Sequence, residues 1–188
     1  RRALDVSRGI RAYQGTVRAY LGMGRLKEAI DVARQALTSM PNSPRALTLV
    51  GLAMSQLPEG LEKARKAFEK ARSLDPLCAE TVMELVTVLV QHDLLPDCVQ
   101  ALQSALQLSQ KDFLHSRLGD VYSKMHRFPN ALSEYHKALA LNPGLECAKT
   151  GLDRLEKLMK GVDPDEDGEV VEEDRDDMDG FGTPSYNG

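Results

Sequence analysis

Small residues recur along this chain in pairs seven positions apart: Ala29 and Ala36, Ala64 and Ala71, Cys98 and Ala105, Ala131 and Ala138. Successive pairs are 35, 34 and 33 residues apart, and five positions beyond each second member stand Pro41, Pro76, Gln110 and Pro143. A period near 34 that closes on proline predicts a stack of helix-turn-helix units. Each unit supplies an A helix and a B helix. The small residues fall where the two helices, or helix B and the next A helix, approach too closely for a larger side chain. The turn residues agree with this reading. Asn42-Ser43-Pro44 and Asp75-Pro76 mark connections, while Pro96 and Pro129 fall in the first turn of a B helix, where a missing N–H is harmless.

The last unit runs Leu118, Gly119, Tyr122, Arg127-Phe128, Ala131, Tyr135, Ala138, Pro143 and resembles the tetratricopeptide-repeat consensus in order and spacing. The expected fold is therefore all-α, a right-handed solenoid of such repeats. Its register places repeats at 10–43, 44–78, 79–111 and 112–145. The third is the most divergent, with Cys98 in place of Ala, Gln110 in place of Pro and Val86 in place of Gly, so its helices should cross less tightly. A final helix at 146–160 carries Ala148, Leu152, Leu155 and Leu158-Met159 on one stripe, with Lys149, Asp153, Arg154, Glu156 and Lys157 opposite, and should cap the stack. Residues 1–9 read as a linker or the remnant of an earlier repeat, because the first A helix would otherwise leave its inner face uncovered.

Composition supports helices. There is no Trp among 188 residues, with four Phe and five Tyr, so the core must come from Leu, Ala, Val and Met. Cys78, Cys98 and Cys147 are too far apart for a close metal-binding pair and too few for paired disulfides, which suggests reduced thiols in an intracellular protein. No run of 18 apolar residues exists, so no membrane span is expected. Charge is uneven. From Gly161 to Gly188 eleven acidic residues face one Arg, a net −10, whereas residues 1–160 carry 23 basic and 17 acidic side chains, a net +6. So acidic a segment repels itself and buries too little to order, so 161–188 reads as a disordered tail. The +6 body mixes its charges too evenly for a nucleic-acid footprint.

Catalytic patterns are missing. No phosphate-binding loop, nucleophile elbow or zinc-protease motif occurs, and His92, His115, His126 and His136 form no catalytic pairing, so neither an enzyme nor a cofactor is expected. His115 falls where the repeat favours a large aromatic and reads as a packing residue. The tail contains one cation-binding pattern: Asp163, Asp165, Asp167, Glu169 and Asp174 follow the spacing of a calcium-binding loop, with Gly168 at its sixth position. Its twelfth position is Asp instead of the bidentate Glu, and no partner loop accompanies it. The segment therefore reads as a solvated acidic tail.

What remains is a groove lined by the A helices, suited to an extended peptide or a partner helix. Its candidate residues are Arg11, Gln14 and Arg18; Arg45, Thr48 and Leu52; Glu80, Met83 and Thr87; Phe113, Ser116, Asp120 and Lys124. The three arginines are the clustered like charges of that surface. A chaperone-tail clamp, the co-chaperone-like alternative of a general peptide adaptor, would need cations and amides where Glu80, Glu84, Leu49 and Phe113 stand.

Longer segments carry a more particular resemblance. Tyr20-Leu21, Arg25 to Ala29, Ala46 to Leu49, Glu62-Lys63-Ala64, Leu114 to Asp120, Tyr135 to Pro143 and the ending Glu172 to Gly180 together resemble the C-terminal portion of the subunit 7 family of the anaphase-promoting complex. The resemblance implies a non-catalytic scaffold in a ubiquitin ligase of mitotic exit, found in nucleus and cytoplasm. It implies other repeat-containing ligase subunits as partners, and self-association through a region outside this chain.

Overall fold

The computed structural model describes residues 2–161, with side chains from Gly9 onward. Among these residues the chain forms nine α-helices and no strand: α1 (Arg2–Gly22), α2 (Leu26–Ser39), α3 (Pro44–Ser55), α4 (Leu61–Leu74), α5 (Ala79–Gln91), α6 (Leu95–Leu108), α7 (Asp112–Lys124), α8 (Phe128–Leu141) and α9 (Glu146–Met159). Each helix packs on its successor. α3 also touches α1 and α5, and α7 touches α9, so α1, α3, α5, α7 and α9 share one face of the stack. Helix α1 starts at Arg2 and runs unbroken through Gly9, so no boundary separates residues before 10 from the first repeat. Arg, Ala and Leu there favour helix, and one Gly costs only about 1 kcal/mol.

The turns follow from local chemistry. Between A and B helices the chain takes a left-handed residue at Gly24 (φ 71°), Asp93 (φ 57°) and His126 (φ 56°), three equivalent positions. The second repeat replaces this turn with Pro58 and Gly60, where a Cβ would lie 1.8 Å from the Met54 carbonyl oxygen. Every B helix from α2 to α8 ends with its capping N–H bonded to the carbonyl of the second small residue, Ala36, Ala71, Ala105 or Ala138. Ser43 caps α3 by accepting from the Ala46 N–H, and Pro44 opens that helix.

The small residues work as steric keys. Ala29, Ala36, Ala64, Ala71, Cys98, Ala131 and Ala138 are all fully buried. At one further repeat position the A and B helices trade volume. Gly51 faces Phe68 and Gly119 faces Tyr135, so closely that an added methyl would come within 3.0 and 2.7 Å of the rings. The first and third repeats hold Val17 with Ala33 and Val86 with Leu102 at those positions, all buried. Contact between α5 and α6 is accordingly much thinner than within α3–α4 or α7–α8, as the Val86 substitution predicts.

Two hydrophobic clusters result. One, across α1 to α3, has five alanines among eight buried residues; the other runs from Ala64 to Leu155 and contains Phe68, Tyr122 and Tyr135. Helix α9 buries Ala148 and Leu155 against the stack. Leu158 and Met159, expected on the same buried stripe, are 40% and 56% exposed. They lie in the last turn of α9.

Candidate partner-binding groove

The N-terminal half of the groove is bridged by side chains. Arg18 of α1 pairs with Glu84 of α5, Gln14 donates to Glu80 at 2.5 Å, and the Arg45 Nε approaches the other Glu80 oxygen at 3.1 Å. The Gln14 and Arg18 contacts run over α3 and join residues 66 apart in sequence, while Arg45 reaches Glu80 from α3 itself. Beneath them, Ile10, Leu49 and Leu52 bound a space of about 10 Å³, enough for a single water. The clustered arginines read from the sequence are thus not a free cationic patch, because Arg18 and Arg45 are neutralised by carboxylates; Arg11 remains exposed. Thr48 is buried with its hydroxyl bonded to Thr81 at 2.8 Å and to the Pro44 carbonyl.

In the middle, Met83, Thr87 and Phe113 are half-buried. Thr87 donates to the Met83 carbonyl and accepts a 3.4 Å bond from Arg117. Ser116 is buried and donates to the Cys147 sulfur.

The C-terminal half is open. A bay of about 510 Å³ lies between α7 and α9, lined by Arg117, Asp120, Lys124, Tyr135, Arg154 and Leu158 among others. Tyr135 reaches it from α8 by passing between two glycines; a Cβ at Gly119 or Gly151 would lie 2.7 or 2.6 Å from its ring. The Tyr135 hydroxyl donates to Asp120 at 2.8 Å, and Arg117 approaches the other Asp120 oxygen at 3.5 Å. Burial raises the Asp120 carboxyl above its ordinary value, opposed by these two partners. Burial, reinforced by the facing carboxylate, pushes the Tyr135 hydroxyl up as well. Among the described residues no carboxylate lies within ion-pair distance of Lys124 or Arg154, both of which are exposed.

Asp120 and Lys124 were identified from sequence, whereas Arg117, Tyr135 and Arg154 were not. Tyr135 reads as a consensus packing aromatic until Gly151, unremarkable in a capping helix, is seen to leave room for it. His115 also differs from its reading as a packing residue. It is buried, but Nδ1 meets Glu134 at 2.6 Å and Nε2 meets the Gln110 side-chain oxygen at 2.7 Å, while Lys137 supports Glu134 at 2.7 Å. Gln110 stands where the other repeats have Pro, and its amide nitrogen donates to the Leu106 carbonyl, leaving its oxygen for the histidine. With both nitrogens engaged, His115 is not a free base. Among the described residues no three His, Cys, Asp or Glu side chains gather as a metal site, and the calcium-loop positions Asp163, Asp165, Asp167, Glu169 and Asp174 lie outside them.

Paired helices, glycine-aromatic crossings and a shared A-helix face define an all-α solenoid of tetratricopeptide repeats. The tetratricopeptide-repeat family model matches residues 10–43 and 113–145. A tetratricopeptide-repeat protein of Thermus thermophilus, TTC0263, superposes with a TM-score of 0.60 over 77% of this chain and 78% of its own, at 20% identity, a likeness of fold. Over 165 residues, 88% of its length, the chain is 39% identical to anaphase-promoting complex subunit 7 of Arabidopsis thaliana. The protein of the same name from Dictyostelium discoideum is 33% identical over 88% of the chain. The resemblance read from the sequence is therefore shown, over 88% of the chain. The chain spans about 30% of the length of these curated relatives.

Proposed function

We propose that the chain is a non-catalytic scaffold segment that holds neighbouring subunits of the anaphase-promoting complex through its solenoid surface. The observation that carries this reading is the 39% identity over 88% of the chain to a protein of that name. The architecture supports it: repeats expose long faces but supply no convergent nucleophile and base. On this reading the partners are other subunits of the assembly, the process is ubiquitin-dependent cell-cycle progression and mitotic exit, and the protein resides in nucleus and cytoplasm. A general adaptor that clamps chaperone tails is disfavoured by geometry, because Glu80 and Glu84 occupy the groove with Gln14 and Arg18.

Affinity capture of the tagged chain from mitotic lysate tests the proposal. It should recover ligase subunits without added ATP or metal. Recovery of chaperones alone, or of no ligase subunit, would put the adaptor reading in its place.

A further inference from the structure

The second and third repeats, α3–α4 and α5–α6, meet at a junction built differently from the others. Of the successive helix pairs, α4 and α5 make the least contact, and a cleft of about 230 Å³, lined by residues of α4, α5 and α6, reaches the buried Leu85 and Leu89. Leu49 and Ala53 of α3 belong to one hydrophobic cluster, Val82 and Leu89 of α5 to the other. Polar side chains span the junction on both faces. On the groove side Arg18 and Arg45 reach Glu84 and Glu80, and in the cleft Arg65 meets Asp97 at 2.9 Å. Among the described residues every ion pair that joins two repeats crosses this junction. Even the buried contact between α3 and α5 includes a hydroxyl pair, Thr81 bonded to Thr48 at 2.8 Å.

We propose that this junction is a salt-sensitive hinge: repeats 1–2 and repeats 3–4 move as two bodies, and the carboxylates of Glu80 and Glu84 hold the groove between them in its closed curvature. A repeat stack is stabilised by its units and by the interfaces between neighbours, so an interface poor in apolar contact yields while the units on either side stay folded. The fastening is also accessible to ions. The arginine side chains of the three pairs are between 36% and 54% exposed, and such pairs are weak singly and screened by salt. Glu80 and Glu84 stand one helical turn apart on α5, so Gln14, Arg18 and Arg45 grip a single short stretch of that helix. Releasing that grip frees the groove side to open about the α4–α5 connection and changes the curvature offered to a partner. None of this depends on which assembly the chain joins.

The test is a set of spin-label distance distributions, measured by electron paramagnetic resonance on the full chain. Thr38, Ser73, Gln107 and Ala140 occupy equivalent, exposed positions two residues beyond the second small residue of α2, α4, α6 and α8. Labels are placed pairwise on cysteines at these sites, with Cys78 and Cys147 replaced by Ser and the buried Cys98 retained. The Ser73–Gln107 pair reports on the junction; Thr38–Ser73 and Gln107–Ala140 report on its neighbours. When salt rises from about 0.1 M to about 1 M, the screening length falls from ~10 to ~3 Å, and the Ser73–Gln107 distribution should broaden and shift while the other two hold. The E80Q/E84Q variant should show the broadened distribution already at 0.1 M, with helical circular dichroism unchanged as the check that it is folded. A Ser73–Gln107 distribution that ignores salt, or broadening of all three pairs together, overturns the proposal. Broadening in salt that the folded variant does not reproduce removes Glu80 and Glu84 as the fastening and overturns it too.

Discussion

Across α1, α3 and α5 the groove is bridged by Gln14, Arg18 and Arg45 on Glu80 and Glu84, whereas between α7 and α9 it opens into a bay where Lys124 and Arg154 meet no carboxylate among the described residues, although one repeat builds both. The difference begins in the core. The N-terminal cluster is mostly alanine, and over α3 the polar side chains of α1 reach the carboxylates of α5. The C-terminal cluster includes Tyr135, whose ring fills the junction of α7, α8 and α9 and brings its hydroxyl to the bay. The same backbone architecture thus presents a closed or an open surface according to whether its cations meet facing carboxylates, as Arg18 and Arg45 do at Glu84 and Glu80, and according to where an aromatic such as Tyr135 places its bulk.

Removing that bulk should have the largest effect. Tyr135→Ala is expected to cost ~3–5 kcal/mol, the range for deleting a buried aromatic. Phe68→Ala should cost a similar amount, but only the Tyr135 variant should speed amide exchange in α9, because only Tyr135 contacts Gly151. Equal protection of α9 in both variants would break the comparison. Gly151→Ala comes next. A methyl within 2.6 Å of the ring must displace it, at ~1–3 kcal/mol in urea unfolding.

Breaking the bridges should cost less. Glu80 is partly exposed and pairs with Gln14 and Arg45, so Glu80→Lys should lower stability by no more than about 1 kcal/mol. The same change should open the N-terminal half, measurable as faster thiol labelling of a Leu52→Cys probe. Tyr135→Phe leaves the ring and removes one donor to Asp120, so the Asp120 carboxyl should titrate still higher. The sign follows from proton uptake: an acid raised in the folded state binds more protons there than when unfolded. Its contribution therefore falls as pH rises from the ordinary Asp value through the raised one. The smallest effect is chemical. Cys147 is exposed and should react readily with a thiol reagent at pH near 8, whereas Cys98 is buried with its thiol pushed up to about 11 and should stay silent until the chain unfolds.

Much of the fold was legible because repeat packing is local. Ala131, Ala138, Gly119 and Pro143 sit at fixed spacings set by helix geometry, and the Val86 exception correctly marked the thin α5–α6 crossing. The groove was legible only as a set of positions. Whether Arg18 is available depends on Glu84, which is 66 residues away and becomes its neighbour only through the superhelical path of the stack. Tyr135 and Gly151 were missed for a related reason, since a B-helix aromatic reaches the A-helix face only where both facing helices lack a side chain. Gln110 looked like a lapse from consensus, yet its amide completes the His115 network.

The central claim is that the solenoid, and not the acidic segment, holds neighbouring subunits. Reconstitution with the ligase subunits recovered by capture tests it most directly, comparing the full chain, a chain ending at Gly161, and Tyr135→Ala in the full chain. The truncated chain should join the assembly at least as well as the full chain, and the Tyr135 variant should join it less. Loss of assembly on truncation, with Tyr135→Ala incorporated normally, would contradict the account.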